Sequence, residues 1–281
     1  MALTDFQRTV CGIIAANRMA TGESYVAGAT ALNELIGASR ASRDIDLFHD
    51  TEEAVDSAWR ADEASLEAQG FELGVVRRLP GFVEAHVRRG AETVLMQWAR
   101  DRAFRFFPLV EHAELGLTLH PFDLATNKVL ALVGRLEVRD WVDVIACDGR
   151  LQPLGYLAWA ACGKDPGFSP GSILEHAART AHYSQAEVQE LSFAGPVPDA
   201  GELSRRWHSM LGEARRIVAM LPPEEAGKCV LGSDGELQRS AARDLDRALR
   251  DGRVAFHAGT IRGALPRIVV SASDRGPDDD V

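Results

Sequence analysis

The sequence predicts an α/β fold of the α+β kind: a mixed sheet with its helices through residue 120, then a helical region over residues 121–281 that ends in a short strand segment and an acidic tail. Three observations carry that expectation. After a first helix the chain runs strand, turn, helix, strand; four further strand candidates follow, separated by glycine and proline turns; and beyond Pro121 the apolar residues recur almost wholly at helical spacing. With 281 residues, 46% of them hydrophobic, the chain can bury a sizeable core and suggests two subdomains rather than one.

Residues 5–18 place Phe6, Val10, Ile13 and Ile14 at helical spacing, with Thr4 or Asp5 available as the cap. Residues 24–27 form a short strand candidate ending at Gly28, residues 30–36 read as a helix, and residues 44–49 alternate polar and apolar as a half-buried strand does. Residues 51–69, rich in alanine, glutamate and leucine, form a helix stopped by Gly70. Strands are expected over 71–76, 82–87, 93–98 and 115–120, punctuated by Pro80-Gly81, Gly90 and a longer loop. Pro121 suits a first helical turn, and helices are expected over 122–136, 139–147, 154–162, 172–180, 184–191 and 202–220. A last helix over 236–250 leads to a strand candidate at 253–257, and the tail 274–281 is polar and acidic.

A formal net charge of -10 argues against indiscriminate nucleic-acid binding through a broad positive field. Arginines 77, 78, 88, 89, 100, 102 and 105 still enrich one region, either as a solvated sheet face or as a polyphosphate or RNA surface. The cysteines Cys11, Cys147, Cys162 and Cys229 are too far apart for a zinc ribbon or a disulfide scaffold, which points to a reducing, cytoplasmic setting. The apolar run 10–16 is too short to span a bilayer, so no membrane partner is expected.

The chemistry concentrates in Gly28-Ala-Thr-Ala-Leu32 and Arg40-Ala-Ser-Arg-Asp-Ile-Asp-Leu-Phe48. Residues two apart on a strand share a face, so Asp44 and Asp46 set two carboxylates side by side while Ile45 and Leu47 face the core. By themselves they fit a solvated strand as well as a metal site. Adjacent anions repel unless a cation lies between them, and magnesium, shared with substrate phosphates, is the plausible ion, in a two-metal site that would activate the attacking oxygen and stabilise the departing pyrophosphate. Gly28, with Ala29 after it, sits where a strand becomes a helix and lets a phosphate approach the backbone; Thr30 offers a hydroxyl, and Arg40 and Arg43, either side of Ser42, are candidates to neutralise a triphosphate. Downstream, Asp123, Asn127 and Lys128 fall on one broad helix face, and Lys128 is the only lysine before residue 164. It reads either as a phosphate ligand or as an ordinary surface cation. Asp140 and Asp143 are spaced as a capping or ion-pairing pair, with Arg135 and Arg139 as partners at hand. Residues 163–165 lack the spacing of a P-loop, and His176 and His182 read as surface or packing residues. The stretch 154–161 reads as bundle core, with Tyr156 or Trp159 the alternative stacking platform for a base.

The order Gly-x-Thr-Ala-Leu, helix, Arg-x-Ser-x-Asp-Ile-Asp-Leu-Phe resembles the first motif of the AbiEii/AbiGii-type nucleotidyltransferases, a toxin-associated branch of the polymerase-β-like superfamily. Asp123-Leu-Ala-Thr-Asn-Lys128 and Arg139-Asp140-Trp-Val-Asp143 resemble its later motifs, and the likeness covers residues 24–148 best. It implies a magnesium-dependent transfer of NMP from an NTP to a hydroxyl acceptor, with Asp44 and Asp46 as metal ligands. It further implies Gly28, Ala29, Thr30, Arg40, Ser42, Arg43 and Lys128 around the nucleotide, and Asp140 and Asp143 in support. An RNA or tRNA acceptor, or a small molecule, and a neutralising antitoxin partner are also implied. The chain departs from the pattern in three places: the spacing from Gly28 to Asp44 is about one residue longer than is usual in the family, and two positions hold other residues. Ala29 stands where a second glycine is common, and Gln97 stands where the neighbouring strand is expected to give a third carboxylate, with Asp101 and Glu92 as the nearest substitutes. The alternatives are therefore a catalytically impaired nucleotide-binding or regulatory module of the same fold, and a protein-interaction scaffold.

Overall fold

Thr4 opens the first helix by a reciprocal cap, its hydroxyl accepting the Gln7 N–H at 3.1 Å while the Gln7 side chain accepts the Thr4 N–H at 2.9 Å. Gly22, at φ 67, ends that helix in the left-handed conformation that costs glycine least. The computed structural model describes residues 3–180 and 183–267; His182 and the acidic tail 274–281 lie outside the described residues.

In chain order the elements are α1 (Asp5–Thr21), β1 (Ser24–Ala27), α2 (Gly28–Leu35), β2 (Arg40–Ala41), β3 (Asp44–His49), α3 (Glu52–Glu67), β4 (Glu72–Leu79), β5 (Phe82–Arg89), β6 (Glu92–Arg100), β7 (Phe104–Arg105), β8 (Val110–His112) and β9 (Gly116–Thr118). There follow α4 (Pro121–Arg135), α5 (Val138–Arg150), α6 (Leu154–Ala161), α7 (Pro170–Ala177), α8 (Gln185–Gln189), β10 (Ser192–Phe193), α9 (Ala200–Met220), β11 (Cys229–Gly232), α10 (Ala242–Arg250), β12 (Val254–His257) and β13 (Thr260–Ile261). Seven strands form one mixed sheet in the order β4-β5-β6-β3-β1-β9-β8, as the α/β expectation requires. The pairs β3/β6 and β1/β9 are parallel and the other neighbours antiparallel.

Alternation decides which face is covered. Ile45, Leu47 and His49 point into the core, where α1 and α3 pack, and none is exposed. The rings of Trp59 on α3 and Trp98 on β6 meet edge to face at 4.8 Å. Asp62 accepts the Trp98 indole N–H at 2.9 Å and the Asn17 amide at 2.8 Å, so this buried carboxylate is hydrogen-bonded. The opposite face of β3 and β6 turns toward α4.

In the helical region α6 packs between α4, α7 and α9. Tyr156 and Trp159 are buried there; the Tyr156 hydroxyl donates to Ser240 O at 2.8 Å and the Trp159 indole to Glu225 O at 2.9 Å. Both are bundle core, not platforms for a base. The chain then returns to the sheet: β12 pairs with β11, the His257 Nε2 lies 2.8 Å from Phe106 O, and β13 pairs with β7.

One helix is shorter than its periodicity implies. Residues 236–241 precede α10 rather than joining it, because Gly235 at φ 86 reverses the chain and lays 236–238 back along β11, with Gly232 N–H bonded to Glu236 O and Gln238 N–H to Val230 O. The Glu213 carboxylate then caps Ala242 N–H at 2.6 Å, fixing the true start.

Burial pushes the His49 imidazole down from 6.5 to about 4. An unfolded chain therefore takes up a proton that the folded one refuses, so this residue adds stability above pH 6.5 that is lost as pH falls through that window, about 3 kcal/mol at full effect. Denaturant titrations at pH 7 and pH 4 should show His49→Leu losing less stability on acidification than the wild type; equal losses would contradict the buried, neutral imidazole.

Candidate active site

The strand period that buries Ile45 and Leu47 puts Asp44, Asp46 and Phe48 on the free face of β3, where they line a cleft of about 920 Å³. Leu124, Asn127, Lys128, Ala131 and Arg135 of α4 form the facing wall. Gly28 and Ala29 close one end, and residues 40–43 and 189–192 make a lip, joined where β2 pairs with β10.

Gly28 has φ 65, and a Cβ added there would lie 1.8 Å from Asp46 Oδ2. The glycine thus makes room for the Asp46 carboxylate as well as for any ligand that approaches the backbone. It also starts α2, which has no side-chain cap at Ala27 and no acidic residue in its first turn. That helix end keeps its partial positive charge beside the two aspartates. Desolvation pushes the Asp46 carboxyl up and Asp44 adds to the effect, against Lys128, Arg139 and Arg135.

The cations divide into held and exposed groups. Arg40 is buried and grips Asp143 with two bonds, Nε to Oδ1 at 2.6 Å and Nη2 to Oδ2 at 2.7 Å. Asp143 also accepts the Asn33 amide at 3.2 Å and lies 3.2 Å from the Lys128 ammonium. Lys128 donates to Asp140 at 2.8 Å, and Arg135 doubly to the same carboxylate at 2.6 and 2.9 Å. Burial pushes Asp140 up, but Arg135 and Lys128 more than offset it and hold the carboxyl below its usual range. Arg139, the other partner considered for Asp140, pairs with Glu137 at 2.6 Å. Arg43 is exposed at the lip and reaches Glu190 O at 3.1 Å.

Of the residues singled out in the sequence, Gly28, Ala29, Arg40, Ser42, Arg43, Asp44, Asp46 and Lys128 share the cleft. Thr30, Asp140 and Asp143 stand behind it. The buried Thr30 hydroxyl donates to Asp44 O at 2.6 Å, tying α2 to β3. Gln97 pairs in register with Asp46 and lines the cleft, its amide donating to Glu84 on the next strand at 2.8 Å. Asp101 and Glu92 do not take the missing place. Asp101 lies past the end of β6, its N–H bonded to His49 O, and lines a smaller cavity of about 280 Å³ with Phe48, Phe104 and Lys164; Glu92 pairs with Arg89 at the other end of β6. Arg135 and Arg139, expected from their spacing only as ion-pair partners of Asp140, also line the cleft. The lip 189–192 had no signal at all.

Among the described residues no group of three or more His, Cys, Asp or Glu side chains is arranged to hold a metal ion. Two carboxylates beside an amide fit instead a hard cation that keeps waters and takes further oxygens from phosphates, the usual habit of magnesium. Among the described residues no helix is long and apolar enough to cross a membrane.

No family model matches the chain, and no curated protein does. Solved structures do. MenT4, a nucleotidyltransferase toxin from Mycobacterium tuberculosis H37Rv, matches at a TM-score of 0.50 and 16% identity over 77% of this chain and 84% of that one. The fold is that of a nucleotidyltransferase. A candidate nucleotidyltransferase from H. pylori matches at a TM-score of 0.49 and 15% identity over 78% of this chain and 99% of that one; JHP933 from Helicobacter pylori does so at 0.47 and 13% over 77% and 95%. The resemblance drawn over residues 24–148 and the match to MenT4 agree on the nucleotidyltransferase fold.

Removing a carboxylate that braces buried cations should cost far more stability than removing one that faces the cleft. Asp143→Ala strands Arg40 and is expected to cost about 3–5 kcal/mol in a denaturant titration, whereas Asp44→Ala should stay within about 1 kcal/mol of the wild type. Equal losses would contradict this division of roles.

Proposed function

We propose that the protein is a nucleotidyltransferase that transfers NMP from an NTP to a hydroxyl acceptor. The strongest support is the division of charge across one cleft: Asp44 and Asp46 on β3, the uncapped start of α2 beside them, and Lys128, Arg135 and Arg139 opposite. An anionic, metal-binding ligand answers both walls at once.

In this reading the first N–H groups of α2, bared by Gly28 and Ala29, receive phosphate oxygens. Arg43 and Ser42 at the lip, and Lys128 with Arg135 on α4, oppose the remaining phosphate charge. Asp140 and Asp143 act as positioning residues, aiming Lys128, Arg135 and Arg40 so that little reorganisation is left when substrate binds. Asp44 and Asp46 are the metal ligands. Magnesium, taken as two ions, would neutralise the triphosphate and favour both attack by the hydroxyl and departure of pyrophosphate. The acceptor oxygen forms the new bond to the α-phosphorus, the bond to pyrophosphate breaks, and the acceptor proton is released to solvent.

An RNA or tRNA acceptor and a neutralising protein partner are the versions implied by the toxin-associated resemblance, with MenT4 a toxin on the same fold. The net charge of -10 favours a narrow RNA contact or a small acceptor over broad RNA binding. Free, well-separated cysteines fit the reducing cytoplasm, where NTPs are plentiful. Gln97, bonded to Glu84 where a third carboxylate is expected, favours a second reading: a nucleotide-binding module with impaired turnover.

Incubating the protein with each labelled NTP, magnesium and total cellular RNA should place label in RNA, and Asp44→Ala/Asp46→Ala should abolish it. Transfer by that double variant would sink the assignment of these carboxylates. Magnesium-dependent NTP binding without transfer to RNA or small alcohols would leave the impaired module as the better account.

A further inference from the structure

Three strands set Asp46, Gln97 and Glu84 in one row, for Asp46 pairs with Gln97 across β3 and β6, and Gln97 with Glu84 across β6 and β5. A glutamine amide has a donating and an accepting end, while an ionised carboxylate only accepts. Glu84 therefore takes the NH2 group, at 2.8 Å, and leaves the carbonyl oxygen for the cleft that Gln97 lines. Turned the other way, the carbonyl would face the carboxylate and lose that bond. The amide orientation is thus set by chemistry on the far side of β6 from the aspartates.

We infer that Gln97, oriented by Glu84, supplies a neutral third oxygen to the cation held by Asp44 and Asp46, and that the site takes its divalent ion together with nucleotide rather than before it. This rests on the metal-dependent reading given above. Two carboxylates, not three, face the cleft from the sheet, and Lys128, Arg135 and Arg139 line the opposite side. Asp140, Asp143 and Glu137 offset part of that charge from behind, and what they leave facing the cleft gives a bare divalent cation little to gain from two aspartates and an amide. A triphosphate offsets the cations and brings oxygens of its own, so ion and nucleotide bind cooperatively. Glu84 is then a positioning residue of the kind that orients a ligand group from behind, where substitution typically costs tenfold or more in metal affinity. It also explains why a carboxylate stands one strand away from where a metal ligand is expected: its task is to hold an amide, not an ion.

The test is Mn2+ binding followed by electron paramagnetic resonance, with and without nonhydrolysable analogues of the four NTPs, on proteins shown by melting curves to be folded. The wild type should bind Mn2+ at least about tenfold more tightly with its preferred analogue present. Gln97→Ala and Glu84→Ala should each weaken that binding by about tenfold. The double variant Glu84→Gln/Gln97→Asp restores a charged oxygen with a donor behind it, and should bind Mn2+ without nucleotide more tightly than the wild type does. Unchanged Mn2+ affinity in Gln97→Ala and Glu84→Ala, alongside loss in Asp44→Ala, would overturn this inference while leaving the metal site standing. No Mn2+ binding by the wild type under either condition, or binding indifferent to Asp44→Ala, would instead remove the metal-dependent reading beneath it.

Discussion

Asp143 lies fully buried where α5 meets α4, α2 and the short strand β2, and three donors converge on it: the Arg40 guanidinium, the Asn33 amide and the Lys128 ammonium. A carboxylate in such a place is tolerated only because its lone pairs are so fully engaged. The consequence reaches beyond local stability. Arg40 belongs to the lip of the cleft, Asn33 to the helix whose start faces the aspartates, and Lys128 to the opposite wall, so a single side chain fixes the spacing of the cleft's three sides. Asp140 repeats the device one turn earlier for Lys128 and Arg135.

The same economy explains how opposite charges coexist in the cleft without collapsing onto each other. Arg40, Lys128 and Arg135 have their strongest partners behind the wall, in Asp140 and Asp143, rather than in Asp44 and Asp46. The two strand aspartates are left facing the uncapped start of α2 and an amide, with Asp46 raised in its affinity for a proton by its burial and by Asp44. In the proposed reading the pair takes a cation only alongside an anion on the facing wall. A metal–triphosphate complex carries both.

Much of this was legible in the sequence because it is local. The two-residue period of residues 44–49 gives the strand, its buried face and the paired aspartates together, and Gly28 marks the junction of β1 and α2. The glycine's closest neighbour was not legible: the space it opens is filled by Asp46 Oδ2, eighteen positions away, through the antiparallel pairing of β1 and β3. Asp140 and Asp143 read as ion-pairing residues, but Arg40 as the partner of Asp143 depends on a contact 103 positions apart that no spacing rule reveals. Glu84 was invisible for the same reason, since its place beside Gln97 follows from strand order. The two-residue strands β2 and β10 are too short to carry a period, so the lip they build could not be read either.

The most direct test of the central claim is a crystal structure of the protein with magnesium and a nonhydrolysable NTP. The account predicts the phosphates at the start of α2, beside Gly28 and Ala29, with the metal on Asp44 and Asp46 and Lys128 on the opposite side. Nucleotide bound elsewhere, such as the smaller cavity beside Phe48 and Phe104, or metal held without either aspartate, would contradict it.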